Sequence, residues 1–241
     1  MIVIIFSKRY LLEVVCFCTI YIMINLTEAL RYMGIGAEPP ADVCEKTVQM
    51  ISELERKLKP RYRYMLYDLM ADGDAFEIVG TAVRLKGQTA SALLSECQKV
   101  IMLACTLGSE FDMYLKRLEA KDMSQAVICN CCGSAYVEAG CDMATDEILA
   151  KLDGLYITDR FSPGYGDIPL DVQPAICDSL NTKRTLGLYV TDTFLLNPTK
   201  SVTAFIGVSQ KQQPAKIRGC AFCNMKSVCT YRKKGIRCYA G

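Results

Sequence analysis

The sequence predicts an α+β domain with a largely antiparallel sheet and packed helices. Three observations carry this. Residues 100–107 are an unbroken apolar run stopped by Gly108, the pattern of a buried central strand. Residues 201–208 alternate, with Val202, Ala204, Ile206 and Val208 on one face. Residues 41–58 place Val43, Thr47, Met50, Ile51, Leu54 and Leu58 on one helical face, with Pro39-Pro40 before them and Pro60 after.

The other elements follow in chain order. Residues 27–33 form a short helix ended by Gly34. Strands at 62–69 and 76–85 flank the turn Asp72-Gly73-Asp74. Residues 88–98 are helical, and 109–118 form an amphipathic helix with Ser109 as N-cap. Residues 122–152 read as one long helix. Its Gly133, Ser134, Ala135, Ala139 and Gly140 predict a second backbone packed closely against it. Residues 173–180 are helical, and 185–191 form a strand. There is no internal repeat. Thr106-Leu107-Gly108-Ser109 joins a strand to a helix, but one glycine there is a weak phosphate-loop signal.

At 241 residues, 51% hydrophobic and 22% charged, the chain has ordinary globular usage and can bury a substantial core. A net charge of +2 argues against a general nucleic-acid binder. Histidine is absent, which excludes an imidazole base, a Ser-His or Cys-His pair and a histidine metal ligand. Of the 14 cysteines, Cys97, Cys105, Cys129, Cys132 and Cys141 sit in apolar, small-residue runs and read as compact core residues. Such thiol use points to a reducing cytoplasm.

Residues 1–22 stand apart. Neither of their apolar runs reaches the roughly 18–20 residues of a spanning helix. Lys8-Arg9 follows the first run, where a signal peptide would have it before. They read as a leader foreign to the domain, a gene-boundary artefact with Met23 as the natural start. A membrane anchor is the alternative. The domain then covers 23–210, and a Cys-rich tail covers 211–241.

The chemistry concentrates in residues 159–170, Asp-Arg-Phe-Ser-Pro-Gly-Tyr-Gly-Asp-Ile-Pro-Leu. Proline fixes φ and glycine permits φ > 0, so Ser162-Pro163-Gly164-Tyr165 reads as a tight turn with Pro163 and Gly164 at its centre. Arg160 and Tyr165 flank it as a cation and a flat ring. The arrangement suits a planar polar ligand such as an adenine nucleoside. The competing reading is a rigid surface turn whose tyrosine packs on the core. Glu138 is the second candidate, the one acid between Asp122 and Asp142. A carboxylate shielded there needs a cation or donors, from a ligand or from a neighbouring side chain.

Arg160-x-x-Pro163-Gly164-Tyr165, then a helix, then Leu186-Gly187-Leu188-Tyr189-Val190-Thr191-Asp192-Thr193-Phe194, Pro198 and Ser201-Val202-Thr203-Ala204 resemble the activation domain of cobalamin-dependent methionine synthase. The stand-alone proteins built around that domain in anaerobic bacteria are more similar still. The resemblance covers residues 24–210. It implies an S-adenosylmethionine-binding component that remethylates inactivated cobalamin in trans. That is a methyltransferase component, inactive without its partners. Cobalamin would sit on a partner, methionine synthase or another corrinoid protein, and a flavodoxin or ferredoxin would supply the electron. The family's ligand contacts carry over to Glu138, Arg160, Ser162, Pro163, Gly164 and Tyr165. The family's first aspartate contact has no motif here to locate it, and no catalytic residue is assigned. The alternative is a redox or metal-binding accessory or adaptor for a corrinoid protein, with no S-adenosylmethionine-dependent activity.

After Val208 the resemblance to the fused enzyme stops, and Cys220-x2-Cys223-x5-Cys229-x8-Cys238 follows in a basic segment. Four cysteines in a short, apolar-poor tail point to zinc or an iron–sulfur cluster. Disulfides or free thiols are the alternative, because a second Cys-x2-Cys is missing.

Overall fold

The computed structural model describes residues 24–35 and 39–212, and the backbone of 3–6 and 12–15. Those last two segments, β1 (Val3–Phe6) and β2 (Leu12–Val15), pair as an antiparallel ribbon. The chain divides into two compact units. The first comprises residues 1–59 and 113–139, the second 60–112 and 140–241.

The first unit holds α1 (Leu26–Tyr32) and α2 (Ala41–Lys57), with most of α4 (Ser109–Glu119) and the first half of α5 (Met123–Lys151). Asn25 caps α1 by accepting from the amides of Thr27 and Glu28. Gly34, at φ 75°, follows its end. Helix α2 buries Thr47, Met50, Ile51 and Leu54, the expected face, and adds Glu55. The Glu55 carboxylate is buried because it accepts from the Ile24 amide at 2.8 Å. Asp122 caps α5 through the amides of Ser124 and Gln125. Cys129 and Cys132 on α5 are fully buried. Burial, helped by the adjacent Cys129 and Cys131, pushes the Cys132 thiol up to about 12, so it packs as a neutral small residue.

The second unit is built on a six-stranded sheet: β3 (Arg61–Asp72), β4 (Ala75–Ile78), β5 (Arg84–Lys86), β6 (Lys99–Thr106), β7 (Tyr156–Ile157) and β10 (Ser201–Ser209). Their order is β5-β4-β3-β6-β10-β7, and every pairing is antiparallel. β6 is the central strand its apolar run predicts, buried from Val100 to Thr106. On one face Val100, Met102, Ala104 and Phe205 form a core with α3 (Gln88–Leu94) and α6 (Gln173–Leu180). On the other, the C-terminal half of α5 crosses the sheet. A Cβ on Gly140 would lie 2.5 Å from Pro60 Cβ and 2.9 Å from Cys105 Sγ. That is the close approach the small residues of α5 predict.

Several expectations need correction. The strand expected at 76–85 is β4 and β5, broken by a turn at Gly80 with φ 79°. The helix expected at 88–98 ends at Leu94. Helix α4 already includes Ser109, and its first hydrogen bond runs from the Phe111 N–H to the Gly108 carbonyl. The strand expected at 185–191 shrinks to β8 (Tyr189–Val190), which pairs with β9 (Leu196–Asn197). Thr185 instead ends the short helix α7 (Thr182–Thr185), and Gly187, at φ 68°, turns the chain. Strand β10 buries Thr203 and Phe205 as well as the expected Ala204, Ile206 and Val208, because helices cover both faces of the sheet.

Candidate functional site

The residue 159–170 loop is anchored at both ends. At its start Phe161 exchanges two backbone hydrogen bonds with Phe205 of β10, and the rings lie 5.4 Å apart. Ser162-Pro163-Gly164-Tyr165 is the expected turn: the Tyr165 N–H donates to the Ser162 carbonyl at 3.2 Å, with Gly164 at φ 88°. That is a type II turn, and glycine at its third position is required by the positive φ. The Gly164 N–H donates to Ile168 and the Ile168 N–H to Tyr165, closing a knot of three bonds. Pro163 and Ile168 are buried beneath it.

Tyr165 stands 61% exposed at the tip. This removes the reading in which its ring packs on the core. Arg160 is held differently. Its side chain is only 19% exposed, and Nη1 donates to Asp142 Oδ1 at 3.0 Å and to Thr145 Oγ1 at 3.2 Å, both on α5. Helix α5 therefore fixes its direction. Ser162 is half-buried and contributes its carbonyl to the turn.

Asp167, which the sequence reading passed over, locks the far end. Its Oδ2 accepts from the Gln88 N–H and its Oδ1 from the Thr89 N–H at 3.0 Å, so it caps α3. The bond with Thr89 leads in holding its carboxyl below the usual aspartate range. Gly87, at φ 103°, must be glycine, because a Cβ would strike the Asp167 carboxylate. No local pattern announces this contact, since its partners lie 78 and 79 residues away.

Arg160, Ser162, Pro163, Gly164 and Tyr165 thus form one rigid feature of the second unit. Glu138 belongs to the first-unit half of α5, where it is half-buried rather than fully shielded. Cys220, Cys223, Cys229 and Cys238 lie outside the described residues. Among the described residues no group of three or more His, Cys, Asp or Glu side chains could hold a metal ion. Among them, too, no helix is long and apolar enough to cross a membrane.

The arrangement can do one kind of chemistry well. A pre-set guanidinium, a ring open to solvent and turn backbone can bind a flat polar molecule. Neither the Pro163 carbonyl nor the Gly166 amide has a partner among the described residues. The solved structure of the MetH reactivation domain bound to AdoHcy has the same fold. The two are 15% identical over 91% of this chain and 84% of that one, with a TM-score of 0.65. No protein-family model and no curated protein matches the chain.

Proposed function

We propose that this chain binds S-adenosylmethionine and serves, in trans, the reductive remethylation of cobalamin carried by methionine synthase or a related corrinoid protein. The observation that carries the reading is the rigid Arg160–Tyr165 turn. Its motif resembles that of the activation domain, and it occurs in a chain with the fold of the AdoHcy-bound reactivation domain. AdoHcy is what S-adenosylmethionine becomes on losing its methyl group.

The residues fit such a ligand. Arg160 brings a guanidinium, whose N–H groups suit the oxygens of such a ligand, and Asp142 and Thr145 fix its direction. Tyr165 offers an exposed face to the adenine. The turn backbone offers a carbonyl and an amide to the ribose or the adenine edge. Glu138, in the first unit, stands as a ligand contact by the resemblance alone. The methyl would pass from the sulfonium to the reduced corrinoid of a partner, and the neutral thioether AdoHcy would be left in the site. This chain needs no general base for that step, which agrees with a sequence that has no histidine. Its own work is binding and orientation.

Isothermal titration of the full chain with S-adenosylmethionine and with AdoHcy tests the reading. Saturable binding of both is expected. Absence of heat with either would favour the accessory or adaptor role, in which the turn is structural only.

A further inference from the structure

The first unit contains a cleft of about 490 Å³ between α2 and α4, bordered by the start of α5. That volume is in the range of small-molecule sites, roughly 300–1,000 Å³. On α4 and just beyond it, Tyr114, Arg117, Leu118 and Lys121 follow at intervals of three and four and so share one face. Opposite them stand Met50, Glu53 and Lys57 of α2. Met50 is 3% exposed and, with Leu118 and the Tyr114 ring, gives the cleft an apolar side.

The charges are unequal. Lys57, Arg117 and Lys121 face one acid, Glu53. Glu53 is already engaged: it accepts from Lys57 Nζ, and that bond, with a further one from Tyr114, holds its carboxyl below the usual range. Lys57 also lies over the Tyr114 ring, 4.3 Å from its centre. Asp122, next to Lys121 in the chain, has its carboxylate turned to the amides of Ser124 and Gln125. The side chains of Arg117 and Lys121 have no ion pair or hydrogen bond among the described residues, although both line the cleft.

We propose that this cleft is a binding site for a small organic phosphate. Its doubly charged oxyanion would lie against Arg117 and Lys121, and its apolar body against Tyr114, Leu118 and Met50. A guanidinium fork with an ammonium beside it matches a dianionic phosphate, whereas a monocarboxylate would leave one cation unmatched. Nucleic acid fits less well. The chain's net charge is only +2, and the cations surround a cleft instead of forming a stripe. The site is built from first-unit residues, whereas the Arg160 turn belongs to the second unit, and it does not depend on the function proposed for that turn.

The test uses the full chain and phenyl phosphate, with phenol, inorganic phosphate and an acidic peptide as separate arms at constant ionic strength. Binding is followed by backbone amide shifts of Tyr114, Leu118 and Gln125. Phenyl phosphate should saturate these shifts at submillimolar concentration. The Arg117→Gln/Lys121→Gln double variant should bind at least tenfold more weakly. Both side chains are exposed, so its melting temperature should match the parent's. Three outcomes would overturn the site. One is failure to saturate. The second is equal binding of phenol, or equal binding by the double variant. The third is displacement of the shifts only by the acidic peptide, which would make the cleft a protein-docking surface.

Discussion

The carboxylate of Asp167 caps a helix that begins 79 residues earlier in the chain, at Gln88. One side chain thereby satisfies two otherwise unpaired amides at the start of α3 and holds the loop that carries Arg160 and Tyr165. Asp167→Ala should lower the unfolding free energy by about 0.5–2 kcal/mol, the usual worth of an N-cap. Asp167→Asn, which keeps an acceptor, should lose less. Because the folded carboxyl lies below its unfolded value near 3.9, its charge contributes stability above that pH. The contribution is lost as pH falls through the folded value. The stability gap between the parent and Asp167→Asn should therefore narrow on going from neutral pH to below about 4. A gap that stays constant in urea titrations over that range would refute the charged-cap assignment.

Arg160 and its tether separate binding from stability. Arg160→Ala should weaken S-adenosylmethionine binding by about 1.5–3 kcal/mol, the scale of lost charge-assisted hydrogen bonds. Asp142 is 70% exposed, so Asp142→Ala should change stability by no more than about 1 kcal/mol. It should nevertheless weaken the ligand, because the guanidinium loses its fixed direction. Titration calorimetry and thermal unfolding of the same variants check both halves. Full affinity in both would remove Arg160 from the site.

The turn itself was legible from sequence because its cause is local: Pro163 and Gly164 set their own dihedrals. Strand β6 and helix α5 were legible because length and apolar pattern agree. What sequence did not disclose is held at long range. Asp167 looks like one more loop acid until it meets Gln88, and Asp142 looks like a helix-surface acid until it meets Arg160. Residues 185–191 carry the β-formers Leu186, Leu188, Tyr189 and Val190, yet α7 extends through Thr185. There the Thr182 hydroxyl donates to the Leu188 carbonyl and folds the segment back.

Gly140 gives a packing test. A methyl group there would meet Pro60 and the Cys105 sulfur inside ordinary contact distance. Alanine is favoured over glycine within a helix by roughly 1 kcal/mol, but overpacking costs about 1–3 kcal/mol. Cys105 lies within β6 and the Pro60 ring immediately precedes β3, so neither can easily give way and Gly140→Ala should be net destabilising in chemical denaturation. A stabilised variant would mean that α5 can lift away from β3 and β6.

Glu147 on α5 accepts from the hydroxyls of Tyr62 and Tyr64 of β3 at 2.7 and 2.9 Å, and from Lys151 at 2.6 Å. The bond to Glu147, followed by burial, pushes the Tyr62 phenol up to about 12. Lys151, followed by the two tyrosines, pulls the Glu147 carboxyl down to about 2. In Glu147→Gln the Tyr62 phenol should ionise closer to the ordinary value near 10. Phenolate absorbance during alkaline titration reads this directly. An unchanged titration curve would show that burial, not Glu147, sets the phenol.

Cys220, Cys223, Cys229 and Cys238 are expected to share one zinc ion or iron–sulfur cluster. Metal analysis and the absorption spectrum of anaerobically purified protein distinguish the two. A visible charge-transfer band with iron marks a cluster, and colourless protein with zinc marks a clip. Replacing any one cysteine by serine should release the metal, because a thiolate-rich site depends on all its soft ligands. S-adenosylmethionine binding should survive, since the tail follows β10, the last strand among the described residues, while the binding turn precedes it. An electron relay predicts that the same variants lose cobalamin reactivation with a protein donor and regain it with a strong chemical reductant. A zinc clip for docking predicts no such rescue. Four free thiols with neither zinc nor iron would eliminate the metal site.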